Sequence, residues 1–323
     1  MRIVVVGAGA MGSLVAARLA QAGELVTLFG RPSPHLEAIQ RDGLTLVEMD
    51  GARQSVPLNA TSDADAAGGA ELVIVLVKAW ATAEAIAPLR EAIPREARVL
   101  TLQNGLGNAA ALRSTLRRPD GARPAVLLGV TTQAANRGTP GEVIHTGAGI
   151  TAIGRRRAGP DSHLTAIART LSAAGVPTVA VDDIHRWVWR KLAVNAAINP
   201  LTALAGVPNR DISSDRDLRA AAAGLAREVT AVALANGINL DAQDIVAAVN
   251  DVARATGTNR SSMLHDLEAG SRTEIDAING AVVTEGARVH VPVPLNHAVT
   301  ALIRARERLS DTYQEEMESR TDD

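Results

Sequence analysis

Three polar residues share one face of a predicted helix in an otherwise apolar segment. Lys191, Asn195 and Asn199 stand at positions i, i+4 and i+8, and the residues around them from 192 to 204 are mostly apolar or small. An unpaired polar group in such surroundings costs about 1–3 kcal/mol, so these groups need partners. A polar substrate held beside the helix would provide them, and so would a buried ladder of amides that bonds neighbouring loops.

A second polar cluster follows at 261–266 and 273–276. Ser262 and Asp266 are four residues apart and would share a helix face, while Glu274 follows Thr273. Serine, threonine and glutamate are also the residues that ordinary helix starts contain, as N-caps and first-turn acids. The pattern alone leaves a catalytic and a capping interpretation open.

The N-terminal elements have the order of a dinucleotide-binding unit. The apolar run 2–6 predicts a buried parallel strand, and Gly7, Gly9 and Gly12 follow it before a helical pattern over 14–20. Here the first glycine permits the tight turn, the second lets the backbone approach a pyrophosphate, and the third allows close packing of helix on strand. The helix N-terminus, with free N–H groups and a favourable dipole, would face the phosphates.

The end of the second predicted strand, 24–29, selects the cofactor. NAD-binding units place an acidic residue there for the ribose 2′-hydroxyl, whereas this chain has Arg31, and its nearest following carboxylate is Glu37. A guanidinium pairs well with a 2′-phosphate. The sequence therefore favours NADP(H) over NAD(H), with an ordinary surface arginine as the alternative.

Two later predicted strands end in polar residues. The run 71–77 ends at Lys78, and the run 98–102 is followed by Asn104. Ligands of open α/β sheets bind at the carboxyl ends of strands, which places both residues near a cofactor unless they are ordinary solvated ends. Further β-segments of the same sheet are predicted at 126–134, 143–154 and 176–181.

The second half of the chain changes to alanine- and leucine-rich helical patterns. We predict an α/β fold, with an N-terminal Rossmann-type doubly wound sheet and a C-terminal all-helical domain. The expected limits are 1–183 for the NADP-binding domain, 184–310 for the helical substrate and catalytic domain, and 311–323 for a polar, frayed tail. Helices are predicted at 187–204, 217–236, 241–255, 261–267, 275–288 and 296–309.

Composition argues against several classes of function. The 323 residues carry a formal net charge of −2 and no cysteine, which disfavours nucleic-acid binding, a polybasic membrane patch, a disulfide framework and a thiolate nucleophile. No histidine pair has metal-binding helical spacing, so no metal is expected. The long uncharged runs contain glycines, asparagines or prolines that do not suit a signal peptide or a membrane span. We expect a cytoplasmic protein with neither a membrane nor a nucleic-acid partner.

Together these residues resemble the ketopantoate reductase (2-dehydropantoate 2-reductase) family over nearly the whole chain. The helical motifs carry more weight than the glycine loop, because few other dinucleotide-dependent reductases combine the two. The matching motifs are GAGAMG at 7–12, Arg31, VKAW at 77–80, QNGLGN at 103–108, KLAVNAAINPLTAL at 191–204, PN at 208–209, SSMLHD at 261–266 and TEIDAINGAVV at 273–283.

The resemblance implies that NADPH reduces 2-dehydropantoate to (R)-pantoate, on the route to pantothenate and coenzyme A. It implies that Lys191 is the general acid for the developing alkoxide, and that Glu274 binds and positions substrate and catalytic groups. The implied substrate-binding residues are Asn195, Asn199, Asn209 and Ser262, with Asp266 supporting its helix. The implied cofactor-binding residues are Gly7, Gly9, Ala10, Met11, Gly12, Arg31, Lys78 and Asn104. The partner would be a small 2-oxo acid, and a homodimer is a further expectation because helical second domains of this superfamily often pair.

One position departs from the family pattern. The family often has a glycine just before Val-Pro-x-Pro, whereas this chain has His290. Histidine adopts a positive φ less readily than glycine, so the departure bears on the local turn more than on the chemistry.

Two other functions remain open. A reductase of another branched 2-oxo acid would use the same polar residues, because they handle the carboxylate and the carbonyl rather than the side chain. A non-catalytic NADP(H) sensor could use the fold for binding alone. Such a sensor would have no need of Lys191 and Glu274.

Overall fold

The structure is a computed structural model that describes residues 1–156 and 162–321, with side chains up to Leu309. All strands of the described residues lie in the first of two units, and the second unit is helical. The predicted fold, a Rossmann-type sheet region followed by a helical region, is confirmed. The first unit comprises Met1–Gln103 and Gly107–Ile184, and the second comprises Asn104–Leu106 and His185–Asp323.

The described secondary structure contains twelve strands, twelve α-helices and two short 3-10 helices, Ala64–Ala67 and Ala79–Ala81. The strands are β1 (Arg2–Val6), β2 (Leu25–Phe29), β3 (Leu44–Val47), β4 (Arg53–Val56), β5 (Asn59–Thr61), β6 (Leu72–Val75), β7 (Arg98–Thr101), β8 (Ala125–Thr131), β9 (Ala134–Arg137), β10 (Glu142–Gly147), β11 (Thr151–Gly154) and β12 (Thr178–Ala180). The helices are α1 (Ala10–Gln21), α2 (Pro34–Asp42), α3 (Thr82–Ile86), α4 (Asn108–Thr115), α5 (Ser162–Ala173), α6 (Ile184–Ala205), α7 (Arg210–Ser214), α8 (Arg216–Ala235), α9 (Ala242–Ala255), α10 (Ser262–Glu268), α11 (Asn279–Arg288) and α12 (Pro294–Thr321).

An eight-stranded sheet forms the centre of the first unit, in the order β12-β11-β8-β7-β6-β1-β2-β5. β11 is antiparallel to β8, and the other neighbouring pairs are parallel. The stretch β5-β2-β1-β6-β7-β8 has the strand order 3-2-1-4-5-6 of a doubly wound dinucleotide-binding fold. The order reverses between β1 and β6, so the loops after these two strands lie at the switch point where such sheets bind ligands.

A smaller sheet, in the order β4-β3-β10-β9, was not foreseen from the sequence. The expectation that 126–134 and 143–154 complete the main sheet is wrong in part, because β9 and β10 belong to the smaller sheet. The chain leaves β10 before Gly149, where a Cβ atom would come within 2.4 Å of the carbonyl carbon of Thr132. Such a close backbone approach admits only glycine and breaks the predicted segment.

Helix α1 is enclosed by apolar neighbours within the first unit. Its residues from Gly12 to Ala17 are buried, in one cluster with Ile3 of the main sheet and Leu46 and Val143 of the smaller sheet. Because α1 packs on both sides, small and apolar residues cover most of its surface, which explains its alanine-rich sequence. This packing fixes the helix whose N-terminus receives the glycine loop.

The start of α11 differs from the prediction. The helix begins at Asn279 rather than near Ile275, and the preceding residues form turns. The carbonyl of Ala277 accepts a hydrogen bond from the N–H of Leu106 at 2.9 Å instead of an intrahelical one. The residues just after Glu274 are therefore held as a turn by a second chain segment.

The end of α12 also differs from the prediction. The backbone is helical to Thr321, through most of the segment 311–323 that the sequence analysis expects to fray. Glutamate, glutamine, methionine and arginine in this segment are strong helix formers, which favours a helix. Residues 322–323 lie outside the described residues.

His290 adopts a backbone conformation that favours glycine. It has a φ of 58° and is the one non-glycine residue with a positive φ among the described residues. The N–H of Val291 reaches back to the carbonyl of Gly286 at 2.9 Å and closes the end of α11. The left-handed conformation costs a non-glycine residue about 1–2 kcal/mol, so this turn lowers the stability to some extent.

Candidate active site

The loop between β1 and α1 is closed by glycines. Gly7 has a φ of 117°, and its N–H donates to the carbonyl of Phe29 at 2.8 Å. A Cβ atom on Gly7 would lie 2.9 Å from the backbone of Val77, and one on Gly12 would lie 1.8 Å from the carbonyl oxygen of Gly7. Both positions therefore require glycine for the loop to form at all.

Gly9 is free of such crowding. It is the N-cap of α1, and a Cβ atom at this residue would meet nothing within 4 Å. The first turn begins with Ala10, Met11 and Gly12, which add no carboxylate to the helix N-terminus. Open space beside free N–H groups at the positive end of a helix dipole suits a phosphate group. The loop therefore fits the pyrophosphate of a dinucleotide.

Arg31 and Lys78 lie on the segments that flank this loop. Arg31 follows β2 two residues after Phe29, whose carbonyl binds Gly7, and its side chain is 77% exposed. It lies 3.6 Å from Glu84, an exposed pairing that contributes little. Lys78 is partly buried and follows Val77, which borders Gly7. The structure thus places Lys78 in the loop after β6, at the switch point, and Arg31 in the neighbouring loop after β2.

Three side chains of the second unit form a connected hydrogen-bonded group. Lys191 Nζ donates to Asn104 Oδ1 at 2.8 Å, and Asn104 Nδ2 donates to Glu274 Oε2 at 3.0 Å. An ammonium group only donates and a carboxylate only accepts, so both charges require this orientation of the amide. The sequence predicts a cofactor-binding role for Asn104, and the structure adds that Asn104 bridges the two candidate catalytic residues.

The environment of Lys191 changes its acidity. Burial lowers the pKa of the Lys191 ammonium from 10.5 to about 8, and the negative charge of Glu274 opposes this shift. Desolvation disfavours the charged form, while an opposite charge favours it. Lys191 is therefore protonated at neutral pH but close to the point where it can release a proton.

The turn that carries Glu274 is held by the segment that carries Asn104. Gly105 has a φ of 78°, and a Cβ atom there would lie 2.2 Å from the carbonyl oxygen of Ala277. The neighbouring Leu106 N–H donates to the same carbonyl. This close approach sets the distance between the two segments and explains the glycine between Asn104 and Leu106.

Asn195 and Asn199 lie on α6 after Lys191. Asn199 is buried and Asn195 is partly buried. Within the part of the chain that the structure describes, neither side-chain amide makes a hydrogen bond. This disfavours the buried amide ladder considered above and leaves both amides able to bind a polar ligand.

The two remaining predicted residues are not bonded to this group. Asn209 is buried, and its Nδ2 donates to Thr256 Oγ1 at 2.9 Å, while its Oδ1 has no partner among the described residues. Ser262 is exposed at the first position of α10. The N-cap of that helix is Ser261, which accepts from Leu264 N–H and from Thr202 of α6. The capping interpretation therefore applies to Ser261.

The scarcity of lysine is a further signal in the sequence. Only two of the 33 residues counted as lysine or arginine are lysines, Lys78 and Lys191, and both occupy predicted sites. In a chain that otherwise uses arginine, a lysine indicates a place where a titratable or compact cation matters. Asn104 had no comparable signal for its bridging position.

Comparisons with known proteins agree with this architecture. The sequence profile "Ketopantoate reductase PanE/ApbA" matches residues 3–158, and the profile of its C-terminal region matches residues 183–307. The 2-dehydropantoate 2-reductase of Halobacterium salinarum is 39% identical over 313 residues, which cover 95% of this chain and 99% of that protein. This chain belongs to the ketopantoate reductase family.

Solved structures extend the comparison. A ketopantoate reductase of the same family from Ralstonia eutropha is 34% identical with a TM-score of 0.86, covering 96% of this chain and 100% of that one. A D-mandelate dehydrogenase in a ternary complex with NADH and anilino(oxo)acetate is 26% identical with a TM-score of 0.90, over 96% of this chain and 100% of that one. The ketopantoate reductase fold thus also occurs in a dehydrogenase with NADH bound.

Two kinds of feature are absent from the described residues. No helix in them has both the length and the apolar character needed to cross a membrane. No group of three or more histidine, cysteine, aspartate or glutamate side chains in them could hold a metal ion.

Proposed function

We propose that this protein reduces 2-dehydropantoate to (R)-pantoate with NADPH. The observation that carries the proposal is the hydrogen-bonded group Lys191–Asn104–Glu274, with a lysine of lowered pKa, in a member of the ketopantoate reductase family. A ketone needs one hydride and one proton to become an alcohol. The lysine is a source of the proton, and the glycine loop is a binding site for the source of the hydride.

The first unit would hold the cofactor. NADPH, when bound, supplies the hydride to the ketone carbon. The N-terminus of α1 with Gly7, Gly9, Ala10, Met11 and Gly12 would bind the pyrophosphate. Arg31 would pair with the 2′-phosphate, and Lys78 would serve the nicotinamide and phosphate side. Asn104 is proposed for that side as well, although it belongs to the second unit. We assign this role to residues 1–183.

Lys191 would protonate the product oxygen. Negative charge develops on the ketone oxygen as the carbon receives the hydride, and the Nζ ammonium stabilises this charge and donates its proton. The Glu274 carboxylate keeps the lysine charged by raising its pKa against the effect of burial. Asn104 fixes the direction of the ammonium through its side-chain oxygen. An arginine could not replace the lysine, because a guanidinium does not release its proton in this range.

The second unit would bind the substrate. Asn195 and Asn199 follow Lys191 at helical spacing on α6, and their amides are free to bind the hydroxyl and carboxylate of the substrate. Asn209 and Ser262 are proposed for the same purpose, and residues 184–310 would form this domain. Neutral amides orient an anionic substrate without adding a competing charge.

The biological setting follows the family. A reductase of this kind would act in pantothenate and coenzyme A biosynthesis in the cytoplasm, without nucleic acid as a partner. A homodimer stays a prediction, which light scattering of the purified protein tests.

A second candidate is a reductase of another branched 2-oxo acid. The D-mandelate dehydrogenase with the NADH complex has a TM-score of 0.90 to this chain, so the fold also accommodates a different cofactor and ligand. The higher identity to 2-dehydropantoate 2-reductases favours ketopantoate.

The test is an assay of NADPH oxidation with ketopantoate beside other branched and aromatic 2-oxo acids, with NADH as the control cofactor. We expect a strong preference for ketopantoate and NADPH. Turnover only with another 2-oxo acid would change the proposed substrate and leave the proposed mechanism intact. Tight NADPH binding without any turnover would overturn the proposal that the protein is an enzyme and would favour an NADP(H) sensor.

A further inference from the structure

A proline inside α6 leaves one carbonyl of that helix without its usual partner. Pro200 lies within the helix and has no N–H, so the carbonyl of Ala196, four residues earlier, receives no intrahelical bond from it. Ala196 is fully buried. An unsatisfied buried carbonyl costs about 1–3 kcal/mol, so this position needs another donor. It lies between Asn195 and Asn199, the two amides proposed to bind substrate.

Asn279 supplies the missing donor. Its Nδ2 donates to the carbonyl of Ala196 at 3.0 Å and to Oδ1 of Asn296 at 3.0 Å. Asn296 uses its own Nδ2 to donate to Glu228 Oε2 at 2.8 Å and to the carbonyl of Leu225 at 3.3 Å. The amide oxygen of Asn296 must therefore face Asn279, and acceptors on both sides fix the orientation of Asn279.

The Asn279 side chain acts only as a hydrogen-bond donor among the described residues. The residue is fully buried, and its Oδ1 has no hydrogen-bond partner among the described residues. Both amide protons are used while the oxygen is not. An apolar side chain would avoid an unpaired oxygen but would leave the Ala196 carbonyl without a hydrogen-bond donor. The amide N–H group is therefore the part of Asn279 that stabilises the structure.

Asn279 also connects α6 to the turn that carries Glu274. It is the first residue of α11 and lies five residues after Glu274. The bond to Ala196 therefore joins the Glu274 segment to α6 at a point separate from the Lys191–Asn104–Glu274 group. Two connections hold a segment in position and direction, whereas one would leave it able to pivot.

We propose that Asn279 is a positioning residue that repairs the break at Pro200 and thereby sets the positions of Asn195 and Asn199 relative to Lys191. The inference rests on the proposed function, because it names the support of the same substrate-binding helix. Asn279 acts through the Ala196 carbonyl and touches neither substrate nor cofactor.

The test compares Asn279→Leu with Asn250→Leu. Asn250 donates from Nδ2 to the carbonyl of Val246 at 2.9 Å, but that carbonyl lies in α9 without a proline and keeps its backbone partner. We expect N279L to raise the KM for ketopantoate about fivefold or more, the size of one lost hydrogen bond, with the Kd for NADPH unchanged. N250L should leave both constants within about twofold of the wild-type values.

Pro200→Ala provides the second arm. This substitution introduces a backbone N–H that can bond the carbonyl of Ala196. We expect N279L to cost less in Tm and in KM in the P200A background than alone, because the carbonyl then has another donor. If N279L alone does not fold, a folded double variant supports the proposal, and an equally unfolded one overturns it.

Several results would overturn the positioning role. They are a lower Tm for N279L with kcat and KM unchanged, equal effects of N279L and N250L, or equal costs of N279L with and without P200A. Each of these comparisons requires a wild-type protein that turns over ketopantoate. Wild-type protein without that activity would instead overturn the proposed function on which the inference rests.

Discussion

The glycine loop of the first unit depends on backbone geometry, whereas the lysine group of the second unit depends on side-chain interactions. The loop depends on residues without a Cβ atom. A Cβ on Gly12 would overlap the carbonyl of Gly7, and Gly9 leaves open space at the end of α1. The lysine group depends on side chains, since Asn104 joins Lys191 to Glu274 and burial shifts the pKa of the lysine. Substitutions in the first region should therefore change cofactor binding, and those in the second should change the rate and its pH dependence.

The largest effect that would separate the two regions is expected from Lys191→Ala. Without the proton donor, kcat should fall by about 10²-fold or more. NADPH should still bind with wild-type affinity, as measured by titration of its fluorescence. Lys191→Arg is the matched control that keeps the positive charge, and it should be nearly as inactive because a guanidinium does not release its proton. Activity within about threefold of wild type in K191R would show that charge alone suffices.

The next effect is expected from Gly9→Ala, which tests whether the loop binds phosphate. Its Cβ meets nothing in the protein and its φ of −83° suits alanine, so the Tm should not change. The methyl group would occupy the space proposed for the pyrophosphate, and the Kd for NADPH should rise by about tenfold or more.

Gly12→Ala is the contrast to G9A. Its Cβ would lie 1.8 Å from the carbonyl of Gly7, so the Tm should fall together with NADPH affinity. Wild-type NADPH affinity in G9A would show that the pyrophosphate does not lie at this helix end.

A smaller effect, on cofactor choice, is expected from Arg31→Ala. The exposed guanidinium has only a weak pairing with Glu84, which a 2′-phosphate can replace, so its loss should weaken NADPH binding by about tenfold and leave NADH binding unchanged. Arg41→Ala is the control, because Arg41 is also exposed and pairs with Asp42. Equal losses for the two cofactors would remove the basis for NADPH preference.

The smallest effect, a displacement along the pH axis, is expected from Glu274→Gln. The carboxylate raises the pKa of Lys191, so its neutralisation should lower that pKa further. The fall of kcat/KM on the alkaline side should then occur at lower pH than in the wild type. A displacement to higher pH, or none, would show that Glu274 does not act on the charge of Lys191.

The sequence predicted the parts of the molecule that rest on local patterns. The strand, glycine loop and helix from 2 to 20 and most helices of the second unit could be predicted because each has its own periodicity and end residues. The smaller sheet could not, since β3 and β10 pair across nearly a hundred intervening residues and two of its segments continue main-sheet runs. A register of that kind depends on tertiary packing against α1 rather than on local preference.

The candidate site shows the same limit. Lys191, Asn195 and Asn199 could be predicted as one group because a single helix carries them. The bridging position of Asn104 depends on the close approach of Gly105 to Ala277, which no sequence pattern records. Asn279 was not predicted either, although Pro200 within a helical pattern indicates that some donor must satisfy the Ala196 carbonyl.

The pH dependence of kcat/KM for ketopantoate reduction by the wild-type protein tests the central claim most directly. Lys191 must be protonated to act as an acid, and burial holds its pKa at about 8 rather than 10.5. We predict full activity well below pH 8 and a loss of about tenfold per pH unit once the pH rises above it. A profile that stays level until the pH approaches 10.5 would contradict the account, because the proton would then come from a group other than a desolvated Lys191.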